Sequence, residues 1–180
     1  MFPKAHAAAY VMMAYRIAWF KVNYPLAYYA AYFSIRAKSF NYELMCQGKE
    51  KLEYFMDDYE KRAAKKELTK AEEDVYKDMK LVQEMYARGF EFKKMDIYKV
   101  QAHRFQIIDG KLMAAMDTID GMGDKVADGV VEAAKKGPFL SKKDFKERTK
   151  VSQNTTELMA ELGILENLPE TNQLSIFDFA

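Results

Sequence analysis

From Ala5 to Val22 apolar side chains fall on nearly every face of a helix, and no other stretch constrains the fold as strongly. A helix that is apolar all round has to be enclosed by other elements. Pro3 stands where a first helical turn tolerates a missing amide proton, so the helix is expected to begin there. Asn23 and Tyr24 end it ahead of Pro25, because the residue before a proline disfavours helical geometry. Pro25 then opens a second helix running to about Ala37. The aromatic surface of this hairpin exceeds what the following polar segment can bury. The chain is therefore expected to be cut from something larger.

Beyond Gly48 the pattern becomes amphipathic. Leu52, Phe55, Met56 and Tyr59 recur at helical spacing, and Val75, Met79, Val82 and Tyr86 repeat it. Thr69 with Glu72 makes a capping box for the second of these helices, and Gly89 is placed as its left-handed stop. The charged run 61–70 reads as a solvated turn region. Period-two spacing in Phe90 and Phe92, and again in Phe105 and Ile107 before Asp109-Gly110, predicts a small β element. Helical signals resume near Met113 and run to Leu165, with Ser141 and Asp144 spaced as an N-cap pair and Gly163 as a stop. Residues 166–180 contain Pro169 and Asn172, lack basic side chains, and read as a mobile tail.

Charge excludes several functions. Lys plus Arg number 28 against 27 Asp plus Glu, a formal charge of +1, so nucleic-acid binding would need a local patch. The single cysteine, Cys46, excludes an internal disulfide framework and zinc sites built on paired cysteines, which suits a cytoplasmic protein. Uncharged stretches fall short of the roughly 18 apolar residues of a membrane span. No secretory signal is recognisable.

The sharpest motif is Ile119-Asp120-Gly121-Met122-Gly123, which runs straight into the apolar-periodic segment beginning Asp124-Lys125-Val126-Ala127. This is a helix-hairpin-helix signature. Glycines let a backbone approach a phosphate, and free amides at a helix start, with the helix dipole, favour the negative charge. Such contacts ignore base sequence. Lys125 adds an ionic contact. From Ala133 to Lys150, seven basic residues (Lys135, Lys136, Lys142, Lys143, Lys146, Arg148 and Lys150) face only Asp144 and Glu147, a local excess of five. The competing reading is a tight turn between packed helices with lysines solvating one face. Ser141 to Leu162 reads as a second, glycine-poor helical pair packed on the first.

Two further segments carry patterns. Gln173-Leu174-Ser175-Ile176-Phe177 resembles a peptide ligand, with Leu174 and the Ile176/Phe177 pair as apolar anchors and the Gln173 amide at the rim. A tail folded back on its own domain is the alternative. In Phe2-Pro3-Lys4-Ala5-His6-Ala7-Ala8-Ala9-Tyr10, Lys4 at a helix start can meet a phosphate, and His6 and Tyr10 share one face. On pattern alone His6 and Tyr10 read as core residues and Lys4 as a surface charge. His6 and His103 lack clustered metal-ligand partners in the sequence, Cys46 has no nearby His, and no Walker or nucleophile-elbow motif occurs. No carboxylate pair stands out as a metal site, and no catalytic centre is expected.

Taken in order, these three segments resemble the C-terminal part of bacterial C-family replicative DNA polymerases, in particular the PolC type. FPKAHAAAY followed by FKVNYPLAYYAAYFSIRA is similar to the end of that family's fingers, the stretch from about Gly89 to Leu165 to its tandem helix-hairpin-helix region, and QLSIF to its sliding-clamp-binding motif. The resemblance implies a mainly α chain in three parts. Residues 1–88 would be fingers-derived, 89–165 a helix-hairpin-helix domain with a small β element, and 166–180 a flexible clamp-binding tail. It implies that Phe2, Lys4, His6 and Tyr10 lie on the incoming-nucleotide side, and that Gly121 and Gly123 approach the phosphates of primer-template duplex. It also implies that residues 173–177 engage the sliding clamp, the ring-shaped β subunit. The palm carboxylates that hold Mg2+ would lie upstream in the rest of the polymerase chain, leaving this stretch without a cofactor and inactive alone. The rival reading is a free-standing, non-catalytic DNA-binding adaptor.

Overall fold

A computed structural model of the chain describes residues 3–171. The hairpin forms as the prolines dictate: α1 spans Lys4–Asn23 and α2 spans Pro25–Ile35, with Pro25 at the first position of the second helix. The expected enclosure of α1 is not supplied by the described residues. None of its residues is buried, and Val11, Tyr15, Trp19 and Phe20 stand 68%, 73%, 47% and 53% exposed. Helix α2 is different. Its inner face carries Tyr29 and Phe33, both buried, into the centre of the molecule.

A short helix that periodicity does not announce, α3, covers Tyr42–Met45, because Asn41 accepts a hydrogen bond from the Leu44 amide at 3.0 Å. Four residues are too few to show a helical period. Helices α4 (Lys49–Ala64) and α5 (Lys70–Ala87) pack antiparallel through Leu52, Met56, Met79, Val82 and Met85. The capping box is complete. Glu72 N–H donates to the Thr69 hydroxyl at 3.3 Å, and Thr69 N–H donates to the Glu72 carboxylate at 2.8 Å. Of the charged run, residues 61–64 continue α4, so only 65–69 forms the turn.

The β element has three strands in the order β1 (Phe92–Lys93), β3 (Lys111–Met113), β2 (Gln106–Ile108). β2 and β3 are joined by Asp109-Gly110, with φ of 53° and 74°, the two left-handed residues that a two-residue hairpin turn of type I′ requires. β1 pairs parallel to β3. The helix expected from Met113 does not form there. Instead Met113 ends the central strand, and a 3-10 turn over Met116–Thr118 comes next. Leu112 to Met116 are all buried, and a continuous apolar run carries no period to separate strand from helix.

Packing does not break at residue 88. Phe33 lies 5.5 Å from Phe105 and 6.1 Å from Phe92 between ring centroids, Phe40 lies 4.9 Å from Phe105, and the Met95 amide donates to the Tyr42 hydroxyl at 3.2 Å. Aromatic contacts of this kind add about 1 kcal/mol each beyond the area they bury. They fix the sheet onto α2.

The remainder is helical: α6 (Asp124–Lys135), α7 (Lys142–Thr149) and α8 (Gln153–Glu161), around Ala127, Val130, Phe139, Phe145, Met159 and Leu165. Gly163, at φ 72°, stands just past the end of α8 as expected. The start of the anticipated tail is anchored. Lys142 and Lys143 amides donate to the carbonyls of Pro169 and Glu170 at 2.8 and 3.3 Å. No helix among the described residues is long and apolar enough to cross a membrane.

Candidate functional site

The Gly-Met-Gly turn joins the 3-10 turn to α6, and the structure gives its two glycines different work. Gly121 adopts φ +74°, and a Cβ there would meet the Thr155 hydroxyl at 2.8 Å, so this glycine is required by packing of the turn against the first turn of α8. Gly123 has φ −73° and nothing within 4 Å of a Cβ position. It is the open one. Gly123 is the N-cap of α6 and offers no side-chain cap, while the amides of Val126 and Ala127 both turn back to its carbonyl at 2.9 Å. The Asp124 and Lys125 amides have no acceptor among the described residues and lie at the positive end of the helix dipole.

The two later helix starts are closed. Ser141 accepts from the Asp144 amide at 3.1 Å, and Ser152 accepts from the Thr155 amide at 3.1 Å. A side chain already occupies the place a phosphate oxygen would take. Of the three helix starts in this region, that of α6 alone is open to an anion.

The basic stretch is not one free face. Arg148 donates to the carbonyls of Ala133 at 2.6 Å, Gly137 at 3.0 Å and Pro138 at 2.9 Å, and stacks over Phe139 at 4.4 Å. It is a structural clasp for the end of α6. Lys135 pairs with Glu132, Lys142 with Glu170, and Lys146 donates to Gln153. Lys125, Lys136, Lys143 and Lys150 form no ion pair among the described residues. Adjacency along the chain suggests one surface, whereas most of the partners come from other elements.

Acidic groups crowd the turn itself: Asp117, Asp120, Asp124 and Asp128 surround Lys125 in sequence. The expectation that His103 lacks clustered partners is corrected here. His103 Nδ1 lies 2.8 Å from an Asp117 oxygen and Nε2 lies 3.1 Å from an Asp128 oxygen. His103, Asp117 and Asp124 also bring potential ligand atoms within 4.8 Å of one another, a set that would serve a divalent cation only with the ring neutral and released from its carboxylate contacts. The three are dispersed along the chain, so no spacing motif announces them. Two carboxylate oxygens facing the two ring nitrogens favour the protonated ring, which alone can donate from both. The hydrogen bond to Asp117 raises its pKa above the ordinary 6.5.

The stabilisation from His103 is complete below about pH 6.5 and disappears as pH rises through the elevated folded-state value. Removing the ring in His103→Ala should therefore lower the thermal midpoint at about pH 6 and change it little at about pH 9. Equal losses at both pH values would contradict the bridge.

Lys4, His6 and Tyr10 all lie on the exposed first turns of α1, with the His6 and Tyr10 rings 4.5 Å apart. The core reading of His6 and Tyr10 is replaced by a surface one. Phe2 and the segment Gln173, Leu174, Ser175, Ile176 and Phe177 lie outside the described residues.

Sequence comparison agrees with this geometry at two levels. Residues 89–174 match the helix-hairpin-helix motif family. Over 178 residues the chain is 47% identical to the PolC-type DNA polymerase III of Streptococcus pneumoniae strain R6 and 46% identical to that of Streptococcus pyogenes serotype M5. Each alignment covers 99% of this chain and 12% of the relative. The fold and the turn define a helix-hairpin-helix protein in which the start of α6 carries no side-chain cap. The chain belongs to the PolC-type DNA polymerase III family, and spans about an eighth of the length of those relatives.

Proposed function

We propose that this chain is the C-terminal part of a replicative DNA-directed DNA polymerase acting in the cytoplasm, and that it positions substrates and partners without doing chemistry. The observation that carries the reading is the uncapped start of α6, where the Asp124 and Lys125 amides and the Lys125 side chain present donors to a duplex phosphate. The relatives' names and the helix-hairpin-helix match support DNA as the ligand. Lys4, His6 and Tyr10 on the exposed end of α1, together with Phe2 outside the described residues, belong in this reading to the nucleotide side of the fingers. Gln173 to Phe177 tether the enzyme to its ring clamp, which raises its effective concentration at the template. The palm carboxylates and their Mg2+ belong to the rest of the polymerase chain, against which the exposed face of α1 would pack.

Salt-dependent duplex titration tests the main claim. Gly123→Val is tolerated by the backbone and should weaken binding to all duplex sequences alike, by about tenfold, or about 1.4 kcal/mol. Lys125→Ala should reduce the salt slope by about one. Unchanged affinity in Gly123→Val would refute the contact. In the same preparations Phe177→Ala should abolish capture by the clamp, and retained capture would remove the tether from the account.

A further inference from the structure

Helix α1 is a lever with a fixed base. It buries no residue, and a helix of 20 residues reaches about 30 Å, so a tilt of about 10° at the base displaces its tip by about 5 Å. What holds the base is a closed polar ring contributed by α1, α2 and α5. The Glu84 carboxylate accepts from Lys21 Nζ at 2.6 Å and from the Tyr29 hydroxyl at 3.1 Å. Arg88 donates to the Tyr29 oxygen at 3.1 Å and to the Lys21 carbonyl at 3.0 Å, which closes the circuit.

That carbonyl is one of the last four of α1, which no amide of the helix can satisfy. Arg88 therefore caps α1 from a different helix, while Lys21 sits in the last turn where a cation suits the dipole. Burial is partial. Lys21, Glu84 and Arg88 side chains are 27%, 40% and 31% exposed, so water still screens the ring and its contribution to stability is modest. Its value is directional.

We propose that Glu84 and Arg88 are positioning residues that aim α1, and through it Lys4, His6 and Tyr10, relative to α5. The functional side of this rests on the nucleotide-facing reading of those three residues. The geometry does not.

Spin labels on Met12→Cys and Glu73→Cys, in a Cys46→Ala background, read the angle between α1 and α5 by dipolar spectroscopy. The parent should give one narrow distance distribution. Glu84→Ala and Arg88→Ala should broaden or shift it by several ångströms while the thermal midpoint barely moves, and Glu84→Gln, which keeps an acceptor, should lie between. A parent distribution as broad as that of the variants, or variants as narrow as the parent, overturns the proposal. In the complete polymerase that carries this segment, Glu84→Ala should then raise the KM for the incoming nucleotide several-fold with kcat largely kept. Altered spectra with an unchanged KM would leave the lever standing and refute the nucleotide-facing reading instead.

Discussion

Gly121→Val should destabilise the chain by about 3 kcal/mol, whereas Gly123→Val, which loses only the N-cap preference for glycine over valine, should cost about 1 kcal/mol or less. The two glycines are separated by a single methionine and look equivalent in sequence. At Gly121 the backbone has φ +74°, where a side chain with a Cβ costs about 1–2 kcal/mol and a β-branched one more. The new Cβ would also strike the Thr155 hydroxyl at 2.8 Å. That hydroxyl is engaged by the Ser152 hydroxyl at 2.8 Å, and turning aside would forfeit this contact. Overpacking of this kind adds about 1–3 kcal/mol. Denaturant unfolding of both variants decides the matter. A Gly121→Val chain as stable as the parent would mean that the turn does not dock on α8 as described. The contrast also dictates how DNA binding must be tested. Only the Gly123 variant separates a lost phosphate contact from a lost fold.

Arg148→Ala should cost about 3 kcal/mol and leave duplex affinity at the same salt unchanged for the folded fraction. Its guanidinium satisfies three carbonyls between Ala133 and Pro138, pairs with Asp144 at 3.3 Å and lies on the Phe139 ring. Hydrogen bonds from a charged donor are worth about 1.5–3 kcal/mol, and the loss is limited here because the Ala133 carbonyl also accepts from the Lys136 amide at 3.2 Å and the Arg148 side chain is 27% exposed. Arg148→Lys should recover little, because an ammonium cannot span carbonyls arranged for a planar fork. Unfolding midpoints and a duplex titration are the readouts. A variant of full stability that loses DNA would return Arg148 to the basic surface the sequence suggested.

Much of the local structure was legible. Pro3, Pro25, Gly89 and Gly163 bound their helices as punctuation predicts, Thr69/Glu72 and Ser141/Asp144 form their caps, and Asp109-Gly110 makes its hairpin. Each depends on atoms within four residues, so each is written in the order of the chain. The glycine turn leading into α6 was legible for the same reason. The misreadings share another cause. Met113 reads as helical because a fully buried run has no period, and its strand state is set by pairing with Phe92–Lys93 and Gln106–Ile108. The basic stretch looks free because Ala133, Gly137, Gln153 and Glu170, which engage it, are distant or carry no charge pattern.

What the sequence alone determined is therefore the succession of helices, their stops, the bend with an open helix start and the family of the chain. Only the tertiary structure decided which glycine serves packing and which stays open, that Arg148 is a clasp, that His103 sits between two aspartates, and that Glu84 and Arg88 brace the foot of α1. The reason is physical: a cap or a turn is settled between neighbours along the backbone, whereas a side chain's charge and access depend on what the fold brings against it from far away.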